Sequence, residues 1–202
     1  MRKNIFFLPV SVILTILVAA CSFHSGPGYE ISGTARDSSF EGRTVYLKDP
    51  YETNRVYDSV RISGGRFAFS DTADVKEPYV RILSVHTSMF GLEYRLPIVI
   101  ENGHISAVLG DILCTSGTDL NDNMQDFLLG ITRLSSSIAG GEGWTPEKIK
   151  SEFSALLEGF ITTNSENVVG VYIYRAYSSS LSDSARQAIP GKFPQLKQEL
   201  EK

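Results

Sequence analysis

The sequence predicts an α+β protein: an antiparallel β-sandwich or open barrel of about seven strands, followed by a C-terminal helical segment. Three observations lead there. From Tyr29 to about Thr118, short runs of alternating apolar and polar residues recur between turn signals. From Asp119 onward the apolar residues recur at helical spacing instead. The composition, 42% apolar and 21% charged, is that of an ordinary globular chain that can bury a core.

Taken in order, Tyr29–Ala35 and Thr44–Lys48 alternate as half-buried strands do. Val56–Ile62 runs into Ser63-Gly64-Gly65, and Arg66–Ser70 alternates again through Phe67 and Phe69, which predicts a hairpin. Tyr79–Val85 follows Pro78. Leu96–Glu101 and Ile105–Leu109 flank Asn102-Gly103-His104, and Asn-Gly is the strongest short hairpin signal. Ile112–Thr115 adds a possible further strand. Beyond it, Leu120, Met124, Phe127, Leu128 and Ile131 form one helical stripe over Asp119–Leu134. Ser135–Gly143 reads as a Ser- and Gly-rich loop. Thr145-Pro146 then opens a second helix with a hydroxyl cap and Pro in its first turn. Val168–Tyr177 is rich in strand formers but long, and is assigned as helix with Ser165 as its cap. Asp183–Ala188 and Phe193–Lys202 predict two short closing helices.

The first twenty residues have a different character. Arg2 and Lys3 precede an almost wholly apolar run, Ile5–Ala20, in the order of a secretory signal. The run is short for a membrane span, which needs roughly 20 apolar residues. It ends Val18-Ala19-Ala20-Cys21, which resembles the bacterial lipobox. That resemblance implies cleavage before Cys21, lipidation of its thiol and attachment to a membrane, with residues 21–28 as a short tether. Each buried CH₂ of an acyl chain contributes roughly 0.8 kcal/mol, so more than one chain gives a stable anchor. Similarity to bacterial lipoproteins further implies, from Ser22, an outer-membrane location. With no acidic run after Cys21, the periplasmic face is expected. The organisation expected is therefore 1–20 signal, 21–28 lipidated tether, 29–118 sandwich and 119–202 helical segment.

Charge and cysteines narrow the partners. Arg2 and Lys3 are two of the 19 basic residues, so the mature chain keeps 17 against 23 acidic, a formal charge near −6. Such a chain lacks the positive field that a phosphate backbone requires, and nucleic acid is not expected as a partner. The sequence has two cysteines. With Cys21 lipidated, only Cys114 remains, so the fold is expected to stand without an internal disulfide.

Several strand and turn patterns, in order, carry a likeness. They are Tyr29-Glu30-Ile31-Ser32-Gly33, Val45-Tyr46-Leu47, Asp58-Ser59-Val60, Gly65-Arg66-Phe67, Ile100-Glu101-Asn102-Gly103, and Ser116-Gly117-Thr118 with Asn121-Asp122. Together they resemble an uncharacterised accessory domain that precedes the thioredoxin-like domain in many Bacteroidetes envelope thiol-disulfide oxidoreductases. The likeness covers most of Tyr29–Lys202. The sequence ends where the redox domain of such proteins would begin, and it has no Cys-x-x-Cys. No oxidoreductase residue is carried over.

The candidate chemical residues read mostly as structure. Cys114 is a possible thiol, but Leu113 and Thr115 offer no cation to stabilise a thiolate, so it reads as a small buried hydrophobe. Asp119–Asn123 starts like a calcium loop, yet the sixth and twelfth places hold Met124 and Gly130 instead of Gly and Glu. Carboxylates and amides there suit a helix start. His24, His86 and His104 have no ligand spacing, and neither a metal nor a cofactor is expected. Gly140-Gly141-Glu142-Gly143 lacks a phosphate-loop Lys. Glu93 and Glu101 could act as a carboxylate pair only if folding joined them. Trp144, Tyr174 and Tyr177 are possible partner-binding residues; packing of the tyrosines between helices and sheet is the plainer account. The function expected is a non-catalytic binding or assembly module. A helper of a separate thioredoxin-like enzyme and an unrecognised hydrolase are the alternatives.

Overall fold

The computed structural model describes residues 26–86 and 92–201. The expected signal and Cys21 therefore lie outside the described residues, as does His24. Among the described residues, eight strands form two four-stranded sheets. The first sheet contains β1 (Tyr29–Ala35), β4 (Arg66–Asp71), β7 (Gly103–Leu109) and β8 (Cys114–Ser116), in the order β4-β1-β7-β8. The second contains β2 (Thr44–Lys48), β3 (Val56–Arg61), β5 (Tyr79–His86) and β6 (Glu93–Ile100), in the order β3-β2-β5-β6. The barrel is not closed; this is an open sandwich followed by five helices, the α+β order expected. Those helices are α1 (Asp119–Gly140), α2 (Pro146–Thr163), α3 (Val168–Tyr177), α4 (Asp183–Lys192) and α5 (Pro194–Glu201).

The strand boundaries follow the alternation of the sequence closely, but the pairing does not. Gly64 and Gly65 take φ of +58° and +68°, and Ser63 and Arg66 exchange backbone hydrogen bonds of 2.9 and 3.1 Å. The tight turn therefore forms, yet β3 and β4 separate beyond it, β3 pairing with β2 and β4 with β1. The Asn102-Gly103 step likewise connects β6 in one sheet to β7 in the other. Both expected hairpins are sheet-to-sheet corners, because two buried faces against one core outweigh continuing a local ladder. One pair also departs from the antiparallel expectation: β1 and β7 run parallel, Ile31 beside Ile105.

Two cores lie on the two faces of the second sheet. Ile31, Leu47, Leu83, Leu96, Ile98 and Ile105 fill the space between the sheets. Val80, Ile82 and Val99, on the opposite face, meet Met124, Phe127, Leu157, Ile161 and Ile173 from the helices. Both faces of β5 and β6 are thus covered along much of their length. That is why Leu96-Pro97-Ile98-Val99-Ile100 is an unbroken apolar run rather than an alternating one. Pro97 is compatible because β6 is an edge strand.

That edge is sealed by a side chain. Asn121, in the first turn of α1, is fully buried. Its Oδ1 accepts from Val99 N–H at 3.0 Å and its Nδ2 donates to Val99 C=O at 2.7 Å, as a neighbouring strand would. It also accepts from Thr115 Oγ1 and donates to Thr118 Oγ1, each at 2.8 Å. Glu101 caps the same helix, accepting from Leu120 N–H at 3.0 Å.

The helices differ from expectation in three places. The segment Ser135–Gly140, expected as loop, continues α1. The indole N–H of Trp144 donates to Ser137 C=O at 3.1 Å, occupying one carbonyl that a helix end leaves unpaired. Asn167 rather than Ser165 caps α3, accepting from Val169 N–H at 2.9 Å. The helix α4 runs on to Lys192, with Pro190 in its last turn. The Thr145 cap of α2 is as expected, its side chain accepting from Lys148 N–H at 3.2 Å. Among the described residues no helix is long and apolar enough to cross a membrane.

Candidate functional site

One end of the sandwich gathers the start of β1, the β2–β3 and β4–β5 loops, and the β6–β7 corner. The described chain begins there, beside Gly28. Gly28 N–H and Val75 N–H both donate to Asn102 Oδ1, at 2.9 and 2.8 Å. Gly28 has φ +103°, and a Cβ on it would lie 2.2 Å from Asp71 O, so only glycine fits this passage.

The same end carries an unusual aromatic and cationic surface. Four of the exposed large apolar residues are here: Tyr51 (44%), Val56 (46%), Tyr57 (42%) and Tyr79 (36%). The Arg81 guanidinium sits over the rings of Tyr57 and Tyr79, 3.8 and 4.4 Å from their centroids. Arg175 of α3 lies 5.5 Å from the Tyr51 ring. Such contacts each contribute roughly 0.5–1 kcal/mol at an exposed site and hold the rings in place. Asp49 orders the loop: its carboxylate accepts from Tyr51 N–H and Glu52 N–H at 2.9 Å and from Tyr57 Oη at 3.0 Å. Burial alone would raise that carboxyl, but these bonds and Arg81 hold it below the usual carboxylate range.

Between this surface and the helices runs a groove of about 890 Å³. Tyr51, Tyr79 and Pro78 wall one side, and Leu120, Val168 and Val171 wall the other. The lining mixes these apolar residues with charged ones, Asp49, Lys76, Glu77, Arg81, Glu166 and Arg175, and tyrosine and arginine are among the residues enriched at protein contacts.

A second cluster, on the outer face of β2, β5 and β6, has different chemistry. Glu93 accepts from Lys48 Nζ at 2.6 Å, from Ser84 Oγ, and from Arg95 at 3.3 Å, with His86 Nε2 3.9 Å away. Partial burial raises the Glu93 carboxyl, but the bonds from Lys48, Ser84 and Arg95 outweigh it and bring it down to about 2. Such a group stays ionised at neutral pH and is too weak a base to take a proton from a nucleophile. Ser84 is fully buried. The cluster ties strands together. Glu101 lies beyond the opposite end of β6, roughly 26 Å away at 3.3 Å per residue, so the two carboxylates cannot act on one bond.

Other sequence candidates are dispersed. Trp144 is half-buried at the α1–α2 junction, with Lys148 Nζ 4.6 Å from its ring. Tyr174 Oη donates to Arg186 C=O at 3.0 Å. Tyr177 packs edge-on against Phe127, centroids 5.4 Å apart, and against Tyr172 at 6.4 Å. Burial raises the Tyr172 and Tyr177 phenols. Cys114 is half-buried in β8, and His104 Nδ1 lies 3.8 Å from Glu30 on the neighbouring strand. Among the described residues no group of three or more His, Cys, Asp or Glu is placed to hold a metal. Sequence reading missed Tyr51, Tyr57, Tyr79, Arg81 and Arg175. Their signal was weak: tyrosines in or beside loops flanked by Pro50 and Pro78, with arginines far apart along the chain.

Residues 29–124 match the model of a domain of unknown function (DUF4369). The DUF4369 match spans the whole sandwich and ends within α1, so α2–α5 lie outside it. It includes Tyr51, Tyr79 and Arg81, while Arg175 on the far wall of the groove comes from the helical segment. No curated protein and no solved structure matches the chain.

Proposed function

We propose that this is a non-catalytic, lipid-anchored envelope protein serving as a binding or assembly module, held by acyl chains at Cys21 to the periplasmic face of the outer membrane. The observation that carries the binding role is the groove of about 890 Å³ with stacked tyrosine and arginine side chains at its mouth. Rigid aromatic anchors beside a groove lose little conformational freedom on binding. The Val18-Ala19-Ala20-Cys21 pattern carries the anchor.

The two parts are tested separately. Labelled palmitate enters the wild type and not Cys21→Ala, and the variant leaves the membrane fraction; a variant that still sediments with membranes refutes the anchor. Affinity purification of the full chain from envelope extracts recovers a specific protein that Tyr79→Ala with Arg81→Ala loses at least tenfold. Equal recovery by that variant removes the groove from the binding role.

A further inference from the structure

The two sides of the sandwich differ in how their outermost strands end. On one side α1 supplies a side chain to each strand: Asn121 pairs with Val99 of β6, and Gln125 Oε1 accepts from Thr115 N–H of β8 at 2.8 Å. On the other side lie β4 and β3. Of these, β3 is the more open. Val56, Tyr57, Asp58, Ser59 and Arg61 are exposed and Val60 is half-buried, and among the described residues no strand pairs with the outer side of β3. Valine and tyrosine favour strands, and the only charges in Val56–Arg61 are Asp58 and Arg61. An exposed edge of this make-up is a template for a further strand.

The register shows which backbone groups face outward. Ile62 N–H donates to Arg43 C=O at 2.8 Å, and Val60, Ser59 and Asp58 stand opposite Val45, Tyr46 and Leu47. Bonded and non-bonded pairs alternate along an antiparallel ladder. Val60 and Asp58 therefore turn their N–H and C=O toward β2, while Ser59 and Arg61 turn theirs to the open side. The Ser59 N–H already has an acceptor there: Asp58 Oδ1, at 2.7 Å.

We propose that Asp58 guards the β3 edge, its carboxylate keeping this strand from pairing with the β3 of a second copy. It does so in two ways. It holds the outward donor in the middle of the strand, which an incoming strand needs. It also brings like charges together. Two β3 strands meeting antiparallel about Ser59 would set each Asp58 opposite a Val60, with the two carboxylates diagonal on one face, roughly 7–8 Å apart. The guard is independent of the groove, and its effect is on self-association.

The test uses the full chain in its native cells, with a photoreactive residue replacing Ser59 so that the backbone N–H stays in place. Asp58→Thr and Asp58→Ala each remove the acceptor and the charge, the second without adding a strand former. In both, irradiation is expected to link two copies of the chain through residues 56–62, at about ten times the wild-type yield or more, the effect of releasing one hydrogen bond to a charged group. A photoreactive residue at Ile112, 67% exposed at the opposite end of the sandwich, reads general association and should show no rise. Equal yields from wild type and variants, a link outside residues 56–62, or a rise shared by position 112 overturns the proposal. A rise in Asp58→Thr alone also overturns it, because the added strand former then accounts for the pairing. So does loss of folding in both variants, read as urea midpoints, since a carboxylate that guards an exposed edge is not needed for the fold.

Discussion

Replacing Asn121 by Ala tests how the helical segment is joined to the sandwich. The amide is fully buried and satisfies both outward-facing backbone groups of Val99, together with the hydroxyl of the buried Thr115. Removing it leaves those three groups with no partner and no room for full hydration. Each buried polar group so stranded costs roughly 1–3 kcal/mol, so a loss of ~3–9 kcal/mol is expected for the three. That is a large part of the roughly 5–15 kcal/mol by which domains are usually stable. The assay is urea unfolding of the mature chain, read as the change in midpoint at unchanged slope. Asn121→Asp adds a signature that a simple cavity would not give. The second carboxylate oxygen would face Val99 C=O, disfavouring the ionised form and raising the folded-state value above the unfolded one. The variant is therefore least perturbed at low pH and loses stability as pH rises from about 4. A cost below about 1 kcal/mol for Asn121→Ala, or an Asn121→Asp variant whose deficit does not grow with pH, would refute the reading of Asn121 as a substitute strand partner.

Three further outcomes are expected. Glu93 is held at about 2 against an ordinary 4.5, so its contribution is complete above pH 4.5 and is lost as pH falls toward 2. That displacement corresponds to at most ~3 kcal/mol, and ~1–2 kcal/mol after allowing for solvent screening; the stability gap between wild type and Glu93→Gln should narrow by roughly half as urea titrations move from pH 6 to pH 3. A Cβ at Gly33 would lie 2.0 Å from the Phe67 ring on the paired strand, so Gly33→Ala should cost about 2 kcal/mol by calorimetry. Adding Phe67→Leu should cancel part of that cost, and strictly additive effects would show that the ring is not the obstacle. Trp144→Phe keeps the ring but removes the N–H held by Ser137, and should increase amide exchange in the last turn of α1 several-fold while leaving α2 protected.

The strands β1 and β2 were legible because each alternates over a half-buried face, and they begin and end where the pattern of Tyr29–Ala35 and Thr44–Lys48 says. The cap of α2 was legible because Thr145 and Pro146 act within one turn. Pairing was not. Gly64-Gly65 and Asn102-Gly103 signal a reversal of direction, and a reversal serves a hairpin and a sheet-to-sheet corner equally. Which one forms depends on the faces buried by residues thirty or more positions away. The candidate site was less legible still, because Tyr51, Tyr79, Arg81 and Arg175 have no spacing in common.

The amino-acid order by itself determined the β-then-α succession, the acidic charge, and the apolar run that ends Val18-Ala19-Ala20-Cys21, each readable without knowing which distant residues meet. Tertiary structure alone decided the two corners, the parallel β1–β7 pair, the sealing of β6 by Asn121, the pinning of Glu93 and the groove between the sandwich and the helices. Each of those arises from groups distant in sequence, brought together when two sheets and a helical layer bury their apolar faces at once, and no local signal encodes which distant partner completes a contact.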